Sequence, residues 1–246
     1  MIYRGLVLGH LLGDFYLQND EMVRRKKKEK DILNLHCTVY CLIVAVCSFW
    51  FVPSVSGGSY LIYLMVLMAT HWGIDYAKNH LNKKDGQCFA FIADQAAHLA
   101  ILIIPARFFA GSQSVLLYKS VLDCRPWIPV FNVVICMLIC GKPASVLVRV
   151  VFEDIKTRGR GTEGFYLDGQ DRDTQDRAGE AIGILEREII FILGIMNQFG
   201  AIGFVLAAKS MARFEQLKHQ GFAEKYLIGT LLSALIAISC AAIYRT

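Results

Sequence analysis

The chain has 246 residues, 55% of them hydrophobic and only 19% charged, with a mean hydropathy of +0.43. That balance is too apolar for a soluble domain and suits an all-α polytopic membrane protein. The net charge of +5 sits in short loops between apolar runs, which gives no basis for a nucleic-acid partner. A spanning helix takes about 20 apolar residues, so seven or eight crossings use most of the chain and leave no separate soluble domain.

In chain order, the first apolar segment covers residues 2–18, carries His10 and Asp14, and ends in Gln18-Asn19-Asp20-Glu21. Met1 is expected to begin this helix, because the pattern of a cleaved leader is missing. The block Arg24-Arg25-Lys26-Lys27-Lys28-Glu29-Lys30 reads as a solvated cytoplasmic loop. A second helix over 31–52 holds His36 and is closed by Pro53 and the Ser56-Gly57-Gly58-Ser59 turn. A third over 60–81 holds His71 and Asp75, and Asn82-Lys83-Lys84-Asp85-Gly86 turns it back. The fourth, over 87–109, holds Asp94 and His98. After a less apolar stretch to residue 127, a fifth helix over 128–152 is expected to kink at Lys142-Pro143.

Residues 153–177 are the most polar part of the chain and read as a loop. The run Asp168-Gly-Gln-Asp171-Arg-Asp173 lacks the spacing and terminal glutamate of a calcium loop. Residues 178–218 keep a helical pattern for about 60 Å, twice a bilayer, so the chain must fold back, best at Asn197-Gln198-Phe199-Gly200. Counting from that turn puts Glu186 level with Lys209, and Glu186 is expected to pair with Lys209 or Arg213, near Arg187. A last helix covers 223–244. Most of the eight cysteines lie inside apolar runs and read as small hydrophobes.

With the basic block inside and eight crossings, five of the 26 Lys and Arg fall on the outer side (Arg4, Arg107, Lys119, Arg125 and Arg245). Lys142 and Arg187 fall within helices, and all the rest lie inside. Both termini are then outside, away from the cytoplasm. The expected organisation is a His/Asp core over 1–109, then a linker, fifth helix and polar loop over 110–177. A C-terminal hairpin and last helix follow over 178–246.

Ionisable groups at membrane depth cost about 2.5–3.5 kcal/mol each even on a lenient scale, so seven in the first four helices need one explanation. His10-x3-Asp14 and His71-x3-Asp75 lie on descending helices and Asp94-x3-His98 on an ascending one. Residues four apart share a helix face, so all three pairs point the same way in space. Asp14, His36, Asp75 and Asp94 form a layer about 6–10 Å inside the cytoplasmic boundary, with His10, His71 and His98 about one turn deeper. Imidazole and carboxylate in this number suit one or two divalent ions such as zinc, iron or manganese. Asp14 or Asp94 would serve as general base. Gln18, Lys78 and Gln95 are placed to meet a polar head group.

His10-Leu-Leu-Gly-Asp14-Phe-Tyr-Leu-Gln18, His36, His71-Trp-Gly-Ile-Asp75-Tyr and Asp94-Gln95-Ala-Ala-His98 resemble the motifs of an uncharacterised bacterial membrane-protein family, known as domain of unknown function 3307. The resemblance covers residues 1–109 and names no activity. Ile182-Gly-Ile-Leu-Glu186-Arg187 and Ala207-Ala-Lys209-Ser-Met-Ala-Arg213 resemble extensions of longer members. Intramembrane His and Asp also loosely resemble predicted membrane-bound metal-dependent hydrolases. The expected function is therefore a metal-dependent hydrolase, phosphoesterase-like, acting on a lipid or lipid-linked substrate at the cytoplasmic leaflet. Alternatives are an ion, proton or metal transporter, or a non-catalytic membrane partner of a soluble effector bound through residues 153–177. Self-association as a homo-oligomer is left open.

Overall fold

Apolar runs of 20 or more residues with few breakers can satisfy their backbone only as helices, and every regular element among the described residues is helical. The computed structural model describes residues 2–49, 57–80, 86–110, 127–158 and 172–245. The expected turns at Pro53–Ser56 and Asn82–Asp85, most of the 110–127 linker and the Asp168–Asp171 run lie outside them. So does most of the segment assigned to a soluble partner.

Helix α1 (Ile2–Leu11) runs into a π-helical turn, Leu12–Tyr16, in which Leu17 N–H donates to Leu12 O at 2.9 Å. A short α2 (Asp20–Arg25) follows, capped by Asn19, whose Oδ1 accepts from Met22 N–H at 2.7 Å. The sequence reading treated this stretch as loop. The cap and the Arg25–Glu29 pair, with bonds of 3.0 and 2.8 Å, explain the difference, because both satisfy a short exposed helix locally. That pairing also holds the Glu29 carboxyl below its ordinary pKa and raises that of Arg25.

Three long helices complete the first half: α3 (Lys30–Phe49), α4 (Gly57–His80) and α5 (Gln87–Ala110). Helix α1 packs on α3, α3 on α4, α4 on α5, and α5 returns to α1, closing a four-helix bundle. Glycines make the α1–α3 approach possible. A Cβ on Gly9 would lie 2.7 Å from Val44 Cα, and one on Gly13 2.8 Å from the Tyr40 ring. Gly9→Leu is therefore expected to lower stability by about 3 kcal/mol or more through overpacking. Gly58→Ala, with nothing within 4 Å of the new methyl, should be neutral; thermal unfolding in detergent compares them.

One end of the bundle is filled by a buried apolar cluster of Leu6, Tyr40, Val44, Tyr63, Leu67 and Leu102. Leu6, Leu67 and Leu102 each stand one helical turn from a histidine, His10, His71 and His98, so the apolar layer lies directly against the polar one.

The chain divides into two compact units, residues 1–135 and 136–246, with the division inside α6 (Ile128–Cys140). In the second unit α7 (Lys142–Arg158) and α8 (Arg172–Ile195) pack with α11 (Gln220–Arg245); α9 (Phe199–Ala212) and α10 (Phe214–Leu217) complete it. The break between α6 and α7 falls at Gly141, just before Pro143. Buried Arg187 fills it, donating to Cys140 O (2.5 Å), Gly141 O (3.3 Å) and Ser145 Oγ (2.6 Å). Helix α8 ends at a left-handed Asn197 (φ 60°), with Gln198 N–H bonded back to Leu193 O and Asn197 N–H to Gly194 O. Asparagine is among the few residues that adopt this cap cheaply, and the turn lets α9 fold back on α8.

Four helical stretches are long and apolar enough to cross a membrane among the described residues: Lys30–Phe49, Gln87–Ala106, Ile128–Ile155 and Gln220–Arg245. This is fewer than the eight expected from sequence. Helix α1 is only 10 residues long, α4 carries His71, Asp75 and Lys78, and α8 begins with a charged stretch. Length or polarity thus keeps those elements below the mark.

Candidate metal centre

Each of the four bundle helices delivers its polar side chains to one place because the residues sit four apart, on a single face. All four histidines are essentially sealed: His10 and His36 are 1% exposed, His71 0% and His98 2%. Asp14, in the π-helical turn, places Oδ1 at 3.3 Å from His36 Nε2 and 3.6 Å from His71 Nε2. The two Nε2 atoms are 3.3 Å apart. Asp75 Oδ2 lies 3.5 Å from His36 Nε2 and 3.9 Å from His71 Nε2, while its other oxygen, Oδ1, is 4.0 Å from His98 Nε2. Thus the layers expected about one turn apart mesh into one cluster, since an imidazole reaches about that far along a bundle axis.

Three overlapping sets result, Asp14/His71/His98, His36/His71/Asp75 and Asp75/Asp94/His98, and in each the donor atoms lie within 4.8 Å of one another. Asp75 occupies the middle, one oxygen toward each side. The hydrogen bonds say which lone pairs are available. His98 Nδ1–H donates to Asp94 O at 2.8 Å, which fixes the tautomer and leaves the Nε2 lone pair facing inward with no partner. Asp94 Oδ1 is also without a hydrogen-bond partner, whereas its Oδ2 accepts from Lys78 Nζ (2.6 Å) and Gln95 Nε2 (3.1 Å). A buried lone pair without a donor is costly, and a divalent cation bound by His98 Nε2 and Asp94 Oδ1 would relieve both. The donor set of imidazole and carboxylate suits zinc, iron or manganese.

His10 differs from the other three. Its Nε2–H donates to Gln95 Oε1 at 3.3 Å, its Nδ1 meets the Tyr40 hydroxyl at 3.1 Å and is 3.7 Å from Asp14 Oδ2. With both nitrogens engaged it belongs to none of the three sets, and it orients Asp14 and Gln95 from behind. Tyr40 also stacks on His71, with ring centroids 3.8 Å apart. Tyr40 went unremarked in the sequence, although it follows His36 by four residues and so shares its face.

Lys26 is the larger surprise. Its basic run predicts a solvated loop, yet its side chain is only 10% exposed and Nζ sits 2.7 Å from Asp75 Oδ2. Gln18, with its amide oriented to satisfy both ends, accepts from Lys26 Nζ at 2.8 Å and donates to Asp14 O at 3.0 Å. Gln18, Lys78 and Gln95, expected at a head group, are thus gathered onto the acidic residues of the centre. In the second unit Lys209 Nζ donates to Glu186 Oε2, while Arg213 bonds Gln216 Oε1 at 3.4 Å.

Residues 2–123 match the model of a family described as protein of unknown function (DUF3307). No curated protein and no solved structure matches the chain. Through its N-terminal half, the chain belongs to that family.

Proposed function

We propose that this member of the DUF3307 family is an integral membrane metal-dependent hydrolase, acting on a phosphoester of a lipid or lipid-linked substrate at the cytoplasmic leaflet of a bacterial inner membrane. The observation that carries the reading is the gathering of Asp14, His36, His71, Asp75, Asp94 and His98 into three overlapping donor sets, with His98 Nε2 and Asp94 Oδ1 left without a hydrogen-bond partner. Packing alone has no need of that many donors at one depth. A bound divalent ion would supply Lewis acidity and an acidified water at neutral pH.

The chain's own groups account for the rest. Asp14 is the most open of the three carboxylates, 9% exposed against 4% and 6% for Asp75 and Asp94, and so suits the general base. Asp94, bonded at Oδ2 by Lys78 and Gln95, keeps Oδ1 for the cation, and the proton that Asp14 takes from water is the one returned to the leaving oxygen. Access from one side only fits an enzyme better than a conductor, because the apolar cluster of Leu6, Val44, Leu67 and Leu102 closes the bundle beyond the histidines. The basic residues at the other end favour the cytoplasmic face and draw anionic lipid.

The test is phosphate release from phosphatidate in mixed micelles by the purified protein supplied with zinc, iron or manganese. Release that a chelator stops and that falls about a hundredfold or more in Asp14→Asn supports the proposal. Metal-dependent release unaffected by Asp14→Asn and His98→Ala would contradict it.

A further inference from the structure

Two ammonium groups lie against the centre, and one of them is withdrawn from solvent. Lys26 is nine-tenths buried on Asp75 Oδ2, and Lys78 reaches Asp94 Oδ2 from a side chain still 49% exposed. Lys78 leaves Asp94 Oδ1 unpartnered, and Lys26, which shares Asp75 Oδ2 with His36 and His71, leaves Asp75 Oδ1 toward His98, so a cation held by His98, Asp94 Oδ1 and Asp75 Oδ1 displaces neither.

The charge count follows from that arrangement. Asp14, Asp75 and Asp94 against Lys26 and Lys78 leave one net negative charge with the histidines neutral. A divalent ion turns that into one net positive charge inside a low-dielectric bundle, and a second ion would triple it. Such a charge needs an anion. Ammonium groups are suited to phosphate as point charges, and the amides of Gln18 and Gln95 stand beside them.

We infer that Lys26 and Lys78 form the anion-binding pair of the metal-loaded centre, and that the group they take is phosphoryl, carried by a lipid head group or free as inorganic phosphate. This rests on the metal reading above and adds the residues that select the substrate's charge.

The full chain in detergent is titrated with inorganic phosphate by calorimetry, and separately with short-chain phosphatidate and the matching diacylglycerol in mixed micelles, after elemental analysis of each sample. Lys26→Met should weaken phosphate about tenfold or more, the size expected for a buried charged hydrogen bond. Lys78→Met should weaken it about threefold, as befits a half-exposed group. Lys26→Arg, which keeps the charge, should stay within about threefold of the wild type. Phosphatidate binding more tightly than phosphate, with diacylglycerol silent, identifies the lipid as the source; the reverse order identifies free phosphate. Equal phosphate affinity in wild type and Lys26→Met at equal metal content overturns the pair alone, as does a Lys26→Met protein that loses its metal. A wild-type protein that takes up no metal overturns the metal reading itself, and the pair with it.

Discussion

Asp75→Ala should unfold more readily than any other single substitution in the bundle, and the loss should be recoverable without recovering the site. Asp75 and Lys26 are a buried pair at 2.7 Å. Removing the carboxylate takes away the 2.7 Å charge partner of a buried ammonium, and such deletions cost about 3–5 kcal/mol. Removing both charges is far cheaper, because an apolar pair of similar volume avoids the desolvation penalty. Asp75→Ala/Lys26→Met is therefore expected to regain most of the lost stability in a denaturation series. Metal should stay lost, since the double variant still lacks the carboxylate with one oxygen toward His36 and His71 and the other toward His98. A double variant as unstable as the single one would show that Asp75 acts through something other than its pairing with Lys26.

Metal itself should stabilise the bundle. A ligand that binds only the folded state adds about 2.7 kcal/mol at a hundred times its Kd, and the donors come from four different helical segments that no unfolded chain holds together. Zinc, iron or manganese is thus expected to raise the unfolding temperature of the wild type by several degrees, and a chelator to reverse the rise. His71→Ala/His98→Ala, which breaks all three donor sets, should abolish the response. An equal response in that double variant would place the binding elsewhere.

The His/Asp cluster was legible in the sequence because chemistry and helix geometry coincide there. His10 and Asp14, His71 and Asp75, Asp94 and His98 are each four apart, and that spacing alone puts each pair on one face. The hairpin at Asn197 was legible for a similar reason, since a 40-residue helical pattern cannot continue beyond a bilayer and asparagine accepts the left-handed cap. Lys26 was not. Nothing local separates it from Lys27 and Lys28, and only the path of the chain after α2 carries it to Asp75. That His10 stands outside the three donor sets was hidden for the same reason, because its two partners, Tyr40 and Gln95, come from other helices. Of the helices that build the centre, α3 and α5 are long and apolar enough to cross a membrane, whereas α1 is short and the polar groups of α4 lower its hydropathy.

The measurement that tests the central claim most directly is the metal content of the purified wild-type protein beside His71→Ala/His98→Ala, which breaks all three donor sets, by elemental analysis after supplementation and dialysis. One or two equivalents of zinc, iron or manganese per chain in the wild type, falling below about a tenth in the double variant, is the expected result. No retained metal in a folded wild-type protein, or the same content in both, would contradict it and leave the cluster as a buried hydrogen-bonded network.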